Sequence, residues 1–211
     1  LKTVAIRMPK NKIALKLIEL SNTPIAAPSA NISGRPSPTI ASDVMADMRG
    51  RIPMILNGGE ADIGIESTVI DLSDNEPTIL RPGYYTYEYI STILDNVRLD
   101  DALIDDKSIP KSPGQKYRHY APKADAICFG GRLDKVITEI KKNVEENKDK
   151  KIAILATDES YDEYKNLDVK LLINLGSREN LEEVAQNLFD ALRKCDEEEV
   201  DIIFAEGFEL R

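Results

Sequence analysis

The rhythm of residues 125–205 constrains the fold more than any other feature of the chain. Short apolar runs at 125–129, 151–156, 170–174 and 200–205 alternate with stretches in which apolar residues return every third or fourth position. Leu133, Val136, Ile137, Ile140 and Val144 follow the spacing of one helix face, and Leu181, Val184, Ala185, Leu188 and Leu192 follow that of another. A strand that leads into a helix cannot fold back as a hairpin. The chain crosses over instead, so successive strands run parallel and the crossovers are right-handed. Residues 125–211 are therefore predicted to form a parallel α/β domain. It has no Gly-x-Gly-x-x-Gly, and Gly130-Gly131-Arg132 is too short to indicate dinucleotide binding. Thr157 and Gly176 stand at strand ends, where an open parallel sheet would take a ligand by fold analogy.

Residues 1–100 have a different texture. Thr3-Val4-Ala5-Ile6 reads as a strand closed by Arg7-Met8-Pro9, and Ile13, Leu17, Ile18 and Leu20 recur at helical spacing over 11–21. Pro24-Ile25-Ala26-Ala27 reads as a second strand running into a loop from Pro28 to Pro38. Thr39 is expected to cap a helix through Arg49, because its hydroxyl can accept the open amides of a first turn. Further strands are expected at 52–56, 67–72 and 78–80, and Thr86 is expected to cap a helix over 87–95. Residues 101–124 have no apolar periodicity but hold Pro110, Pro113, Gly114 and Pro122, so they read as a stiffened linker.

Composition narrows the function classes. The 211 residues are 42 % hydrophobic, enough for one good core or two small ones. A net charge of −9 repels nucleic acid and anionic lipid over most of the surface, so a polyanion needs a local basic site. The two cysteines, Cys128 and Cys195, have no metal-ligand spacing and read as reduced core thiols of a cytoplasmic protein. No apolar run approaches the roughly 18 residues that a membrane span requires. The chain opens on Leu1 directly into a strand-like run, which predicts a missing beginning.

Five stretches could carry chemistry. Pro28-Ser29-Ala30-Asn31-Ile32-Ser33-Gly34-Arg35-Pro36 follows a strand and gathers small hydroxyls, an amide, a glycine and a cation, the residue types that let backbone amides approach an anion. The same composition suits a plain solvent turn. Glu66 and Ser67 sit where a turn enters a strand, a position that lines a pocket mouth or a strand edge. Arg81 ends a strand just before Pro82-Gly83, and Arg7 repeats the arrangement before Pro9. A guanidinium held there can fork onto two phosphate oxygens, although exposed arginines at strand ends are common. The run Ser112 to Pro122 contains Lys116, Tyr117, Arg118, His119 and Tyr120 in consecutive positions. It reads as an aromatic, cationic strap over a nucleotide or as a basic spacer. No Walker loop occurs.

In sequence, Ile6-Arg7-Met8-Pro9, Ser29-Ala30-Asn31-Ile32-Ser33-Gly34, Glu66-Ser67-Thr68-Val69-Ile70-Asp71, Leu80-Arg81-Pro82-Gly83 and the 112–122 run resemble the YrdC-like family of threonylcarbamoyl-AMP synthases. The likeness is to its longer members, which add a Rossmann-like C-terminal domain through the linker. It implies an α/β architecture of three parts. Residues 1–100 would be the C-terminal half of a twisted YrdC-like catalytic domain, 101–124 the linker, and 125–211 the Rossmann-like domain. The implied reaction condenses L-threonine, bicarbonate and ATP into L-threonylcarbamoyl-AMP and pyrophosphate, with Mg²⁺ accompanying ATP and no protein ligands to the metal assigned. The product would pass to a partner complex that modifies tRNA. Arg7 and Arg81 would be catalytic and bind substrate or ATP. Ser29 and Asn31 would contact nucleotide or threonine, Ser67 would hold threonine, and Tyr117 and Tyr120 would close over the site. The resemblance also implies that phosphate-approaching Lys and Arg residues and part of the threonine pocket precede residue 3, so this chain alone is expected to show little turnover. The competing reading is an RNA-binding YrdC-like module without turnover, favoured by basic residues in 1–16 and 107–123 and opposed by the overall charge.

Overall fold

The protein is described here by a computed structural model covering residues 3–104 and 121–208, and it divides into two units. Tyr117, His119 and Tyr120 lie outside the described residues. The first unit takes in residues up to Ile32, then Ile40–Glu60, and then the chain from Glu66.

Helix α1, Lys12–Ser21, begins where the Asn11 side chain accepts the amides of Ile13 at 3.0 Å and Ala14 at 3.1 Å. It ends at Asn22 in a left-handed conformation, φ 50°. Helix α2, Ala41–Met48, differs from expectation: Ile40 stands at its cap and no side chain bonds there, while the Thr39 carbonyl accepts the Ala61 amide. Strands β1, Val69–Asp71, and β2, Thr78–Arg81, pair antiparallel, with Val69 opposite Arg81 and a bulge after Val69. Helix α3, Tyr87–Ser91, is capped by the Thr86 hydroxyl as predicted. Strand β3, Arg98–Leu99, then pairs parallel with β2, and α4, Asp101–Ile104, follows. Ile79, Ile90 and Val97 form this unit's small buried core, with Ile70 and Leu94 against it.

The strand-like runs at 3–6, 24–27 and 52–56 are not strands. Val4, Ile6 and Met8 are 82 %, 90 % and 84 % exposed. β-Branched composition makes a segment fit a pleated surface, but a strand also needs a neighbouring row of backbone donors and acceptors. Among the described residues, no strand pairs with them.

The second unit holds Ser33–Thr39, Ala61–Ile65 and the chain from Tyr120 onward. Its elements are β4 Asp125–Phe129, α5 Leu133–Glu146, β5 Ile152–Ala156, α6 Tyr161–Tyr164, β6 Leu171–Asn174, α7 Leu181–Glu197 and β7 Ile202–Glu206. The four strands run parallel in the order β4-β7-β5-β6, as the alternating rhythm predicted. Side-chain alternation along β5 explains the layering. Ala153 and Leu155 face α7, together with Val184, Ala191, Cys195 and Ile203. Ile152, Ile154 and Ala156 face the other way, onto Val136, Ile140 and Val144 of α5 and Tyr164 of α6, with Phe204. A central strand covered on both faces has to be apolar throughout, and all five residues of β5 are buried.

Candidate functional site

In the first unit, Arg7 and Arg81, the latter at the end of β2, meet one serine. The Arg7 guanidinium donates through Nη2 to the Ser67 hydroxyl at 2.8 Å. Arg81, at the end of β2, donates through Nε and Nη2 to the Ser67 carbonyl at 3.2 and 2.8 Å. The antiparallel register makes this possible, since Val69 lies opposite Arg81 and Ser67 is two residues upstream. Arg7 and Ser67 are exposed and Arg81 is half-buried, so the cluster opens to solvent. A guanidinium has five N–H donors, and these contacts leave both arginines with donors for a phosphate or carboxylate.

The turn after Arg81 is pressed against the same segment. A Cβ on Gly83 would overlap the Glu66 carbonyl and come within 2.5 Å of the Ser67 carbonyl carbon and the Thr68 nitrogen. Tyr84 donates its amide to the Glu66 carbonyl at 3.2 Å, and the Thr68 hydroxyl donates to the Tyr85 carbonyl at 2.6 Å. Residues 66–68 and 81–85 are thus laced together, which fixes where Arg81 emerges. Tyr84, Tyr85 and Tyr89 pack beside the turn, with ring centroids 5.1 Å apart in each pair from Tyr84 to Tyr85 and from Tyr85 to Tyr89.

Of the residues singled out from sequence, the structure brings together Arg7, Ser67 and Arg81. Ser29 and Asn31 stand on a separate loop. Ser29 is exposed, and the Asn31 amide donates to the Ile32 carbonyl at 3.0 Å. The Ile32 amide in turn donates to Asp47, a carboxylate on α2 that is 2 % exposed. Tyr117 and Tyr120 fall outside the described residues. Among the described residues, no group of three His, Cys, Asp or Glu side chains could hold a metal ion.

Sequence reasoning missed a polar cluster at the carboxyl ends of the parallel sheet. Glu206, the last residue of β7, is buried and accepts the Thr157 hydroxyl at 2.8 Å and the Tyr164 phenol at 2.8 Å. Arg178 donates to the same carboxylate at 3.1 Å and to the Gly207 carbonyl at 2.7 Å, and stacks on Phe208. Burial, and then the adjoining Glu206 carboxylate, push the Tyr164 phenol far above its ordinary value, so it remains a neutral donor. The signal lay in the sequence as a lone acid closing the apolar run Ile202–Ala205. Beside it, burial works against ionisation of Glu159. The Ser177 hydroxyl and the Arg178 amide outweigh that penalty and hold its carboxyl below the usual range. The strand end near Thr157, expected from fold analogy to take a ligand, is therefore occupied by the protein's own side chains.

Both cysteines are free, Cys128 exposed and Cys195 buried. Burial, with Asp196 adding to it, pushes the Cys195 thiol up to about 12. Among the described residues, no helix is long and apolar enough to cross a membrane.

A four-stranded parallel α/β unit and another unit with a three-stranded sheet, where Arg7 and Arg81 both bond to Ser67, define a two-unit α/β protein. The comparisons give that class a family. Residues 85–211 match the family model for the threonylcarbamoyl-AMP synthase C-terminal domain, and residues 1–83 match one described as telomere recombination. The chain belongs to the threonylcarbamoyl-AMP synthase family. It is similar to the threonylcarbamoyl-AMP synthase of Pyrococcus abyssi, 48 % identical over 99 % of this chain and 60 % of that protein. It is also similar to that of Bacillus subtilis, 46 % identical over 99 % of this chain and 59 % of that protein. A crystal structure of P. abyssi Sua5 complexed with L-threonine aligns with a TM-score of 0.87 at 46 % identity, covering 99 % of this chain and 60 % of the other. The chain thus spans about three fifths of the length of the curated relatives it matches.

Proposed function

We propose that the whole protein makes L-threonylcarbamoyl-AMP from L-threonine, bicarbonate and ATP, releasing pyrophosphate, and that this chain supplies part of the site. The observation that carries the proposal is the convergence of Arg7 and Arg81 on Ser67. L-Threonine bound to the similar P. abyssi protein supports it. Threonine's amine and bicarbonate condense to a carbamate as a C–O bond of bicarbonate breaks and water leaves, and the carbamate oxygen attacks the α-phosphorus of ATP. The α–β phosphoanhydride bond breaks and pyrophosphate leaves. Negative charge builds on the α-phosphoryl oxygens during attack, and fixed cations stabilise it without reorganising. Arg7 and Arg81 are the catalytic candidates. The Ser67 hydroxyl orients the threonine, and the Ser29–Asn31 loop holds nucleotide or threonine. Tyr117 and Tyr120 are assigned to a strap that keeps water from the mixed anhydride.

Mg²⁺ is expected with ATP. An ion that accompanies ATP would be held mainly by phosphate oxygens and water and would neutralise phosphate charge. The product, an activated carbamoyl, suits transfer to an RNA base by a partner complex.

The test is formation of threonylcarbamoyl-AMP, followed by mass spectrometry, with the whole protein and all three substrates. Arg81→Lys is expected to lower turnover about 100-fold, the scale for removing one oriented charge-stabilising donor set. Pyrophosphate release that does not depend on threonine overturns the proposal. RNA binding that weakens steeply with salt and ignores ATP would instead support the RNA-binding reading, against which the −9 charge already counts.

A further inference from the structure

Helix α7 contains a cation where an apolar residue would pack more cheaply. Arg193 is only 6 % exposed, within a helix whose neighbouring buried residues are Ala191 and Cys195. Its Nη1 donates to the carbonyl of Pro36 at 2.9 Å, a partner 157 positions away in sequence. Pro36 is itself fully buried. About two turns earlier, α7 meets a second distant loop. The Gln186 side chain donates to the Ala61 carbonyl at 3.4 Å, and a Cβ on Gly64 would overlap the Gln186 backbone carbonyl. The Ala61 amide donates to the Thr39 carbonyl at 2.8 Å, tying the two loops to each other. Ser33–Thr39 and Ala61–Ile65 therefore belong to the same unit as α7.

These two loops are continuous with the candidate site. Ser33–Thr39 follows Ser29–Asn31 with only Ile32 between, and Ala61–Ile65 runs directly into Glu66 and Ser67. At the front of the first loop the Ile32 amide is held by Asp47, and four residues later the Pro36 carbonyl is held by Arg193. A guanidinium withdrawn from water is costly unless it is hydrogen-bonded. Its retention here fits a role in fixing one backbone position rather than in filling space.

We infer that Arg193 is a positioning residue: by gripping the Pro36 carbonyl, helix α7 sets the path of the Ser29–Asn31 loop and thereby the affinity of the site for its substrates. The affinity part rests on the proposed function; the grip itself does not.

The experiment compares unsubstituted whole protein with Arg193→Met, which keeps the length and loses every donor, and with Arg193→Lys, which keeps the charge and a single donor cluster. Hydrogen exchange by mass spectrometry follows residues 30–40, with 152–156 and 202–206 as the control for an intact core. Titration calorimetry follows L-threonine and ATP. For Arg193→Met, exchange over 33–39 is expected to quicken about tenfold and affinity to fall about tenfold, the effect of losing one charge-assisted hydrogen bond. Protection of the control strands should persist, and Arg193→Lys should recover part of both losses. Unchanged exchange at 33–39 overturns the grip. Faster exchange with unchanged affinity overturns the positioning role and leaves Arg193 a packing residue. If Arg193→Met also loses protection in the control strands, Arg193→Lys carries the test by the same criteria. If the unsubstituted protein binds neither ATP nor threonine, the proposed function fails, and the affinity part of the inference with it, while the exchange result still distinguishes that failure from loss of the grip.

Discussion

The two units use apolar residues in opposite ways. In the second, β5 and β7 bury Ile154, Ile203 and Phe204 completely, between one helix layer on each side. Among the described residues of the first, Ile79, Ile90 and Val97 form a small buried cluster, while Val4, Ile6 and Met8 are exposed in this chain taken by itself. Stability in the second unit is distributed through a packed sheet. In the first, the site is set by a few specific close approaches, such as Gly83 on Glu66–Thr68 and Arg81 on the Ser67 carbonyl. A packed sheet tolerates little loss of volume, whereas a laced turn tolerates little displacement. Substitutions should therefore register as lost stability in one unit and as lost binding in the other.

The strongest test of that contrast is Phe204→Ala, which removes a ring with 0 % exposure. It should cost about 3–5 kcal/mol in denaturant melts followed on the second unit. Arg178→Met should come next, at about 3 kcal/mol, because it leaves the buried Glu206 carboxylate without its cation. Adding Glu206→Gln to it should recover much of the loss, and failure to recover would mean that the pair is not coupled. Gly83→Ala should cost about 1–3 kcal/mol by pushing the turn from Glu66 and Ser67, and should weaken threonine or ATP binding more than it lowers the melting temperature. The reverse order would break the contrast.

Glu159→Gln is a smaller perturbation. Hydrogen bonds hold its carboxyl below the unfolded value, so its contribution is present above the unfolded pKa and disappears as pH falls through the folded one. The side chain is exposed, so solvent screening limits the expected cost at neutral pH to about 0.5–1 kcal/mol. Melts of the two proteins should converge in acid. Least of all should come Ile6→Thr in this chain, within about 0.5 kcal/mol, since the side chain is already 90 % exposed.

Local periodicity made the second unit legible. The runs at 125–129, 151–156, 170–174 and 200–205 became β4 to β7 within a residue or two, because each strand and helix announces its own buried face. The Thr86 cap was legible for the same reason, since a cap involves one side chain and the next turn. Strand pairing was not. Thr3–Ile6, Pro24–Ala27 and Ile52–Leu56 have strand composition, yet pairing depends on what lies alongside, which composition does not encode. Thr39 failed as a cap because its backbone is engaged by Ala61 and the helix starts after Ile40. At the site, Arg7, Ser67 and Arg81 could be picked out by their places beside strand-like runs, although the run before Arg7 is not a strand; that Arg81 would fork onto the Ser67 carbonyl could not. Arg193 was invisible, because an arginine in an amphipathic helix reads as solvated until the partner carbonyl is seen.

The interleaving of Ser33–Thr39 and Ala61–Ile65 with α7 has an evolutionary corollary. Recombination at the proline-rich stretch would move α7 without the two loops it binds, leaving Arg193 facing a foreign backbone. Halves of this protein are thus poor modules for shuffling: a transplanted C-terminal half has to bring, or encounter, loops whose carbonyls match its own helix. Drift in one half is answerable to the other, and chimaeras between diverged relatives should lose ligand capture before they lose the ability to fold.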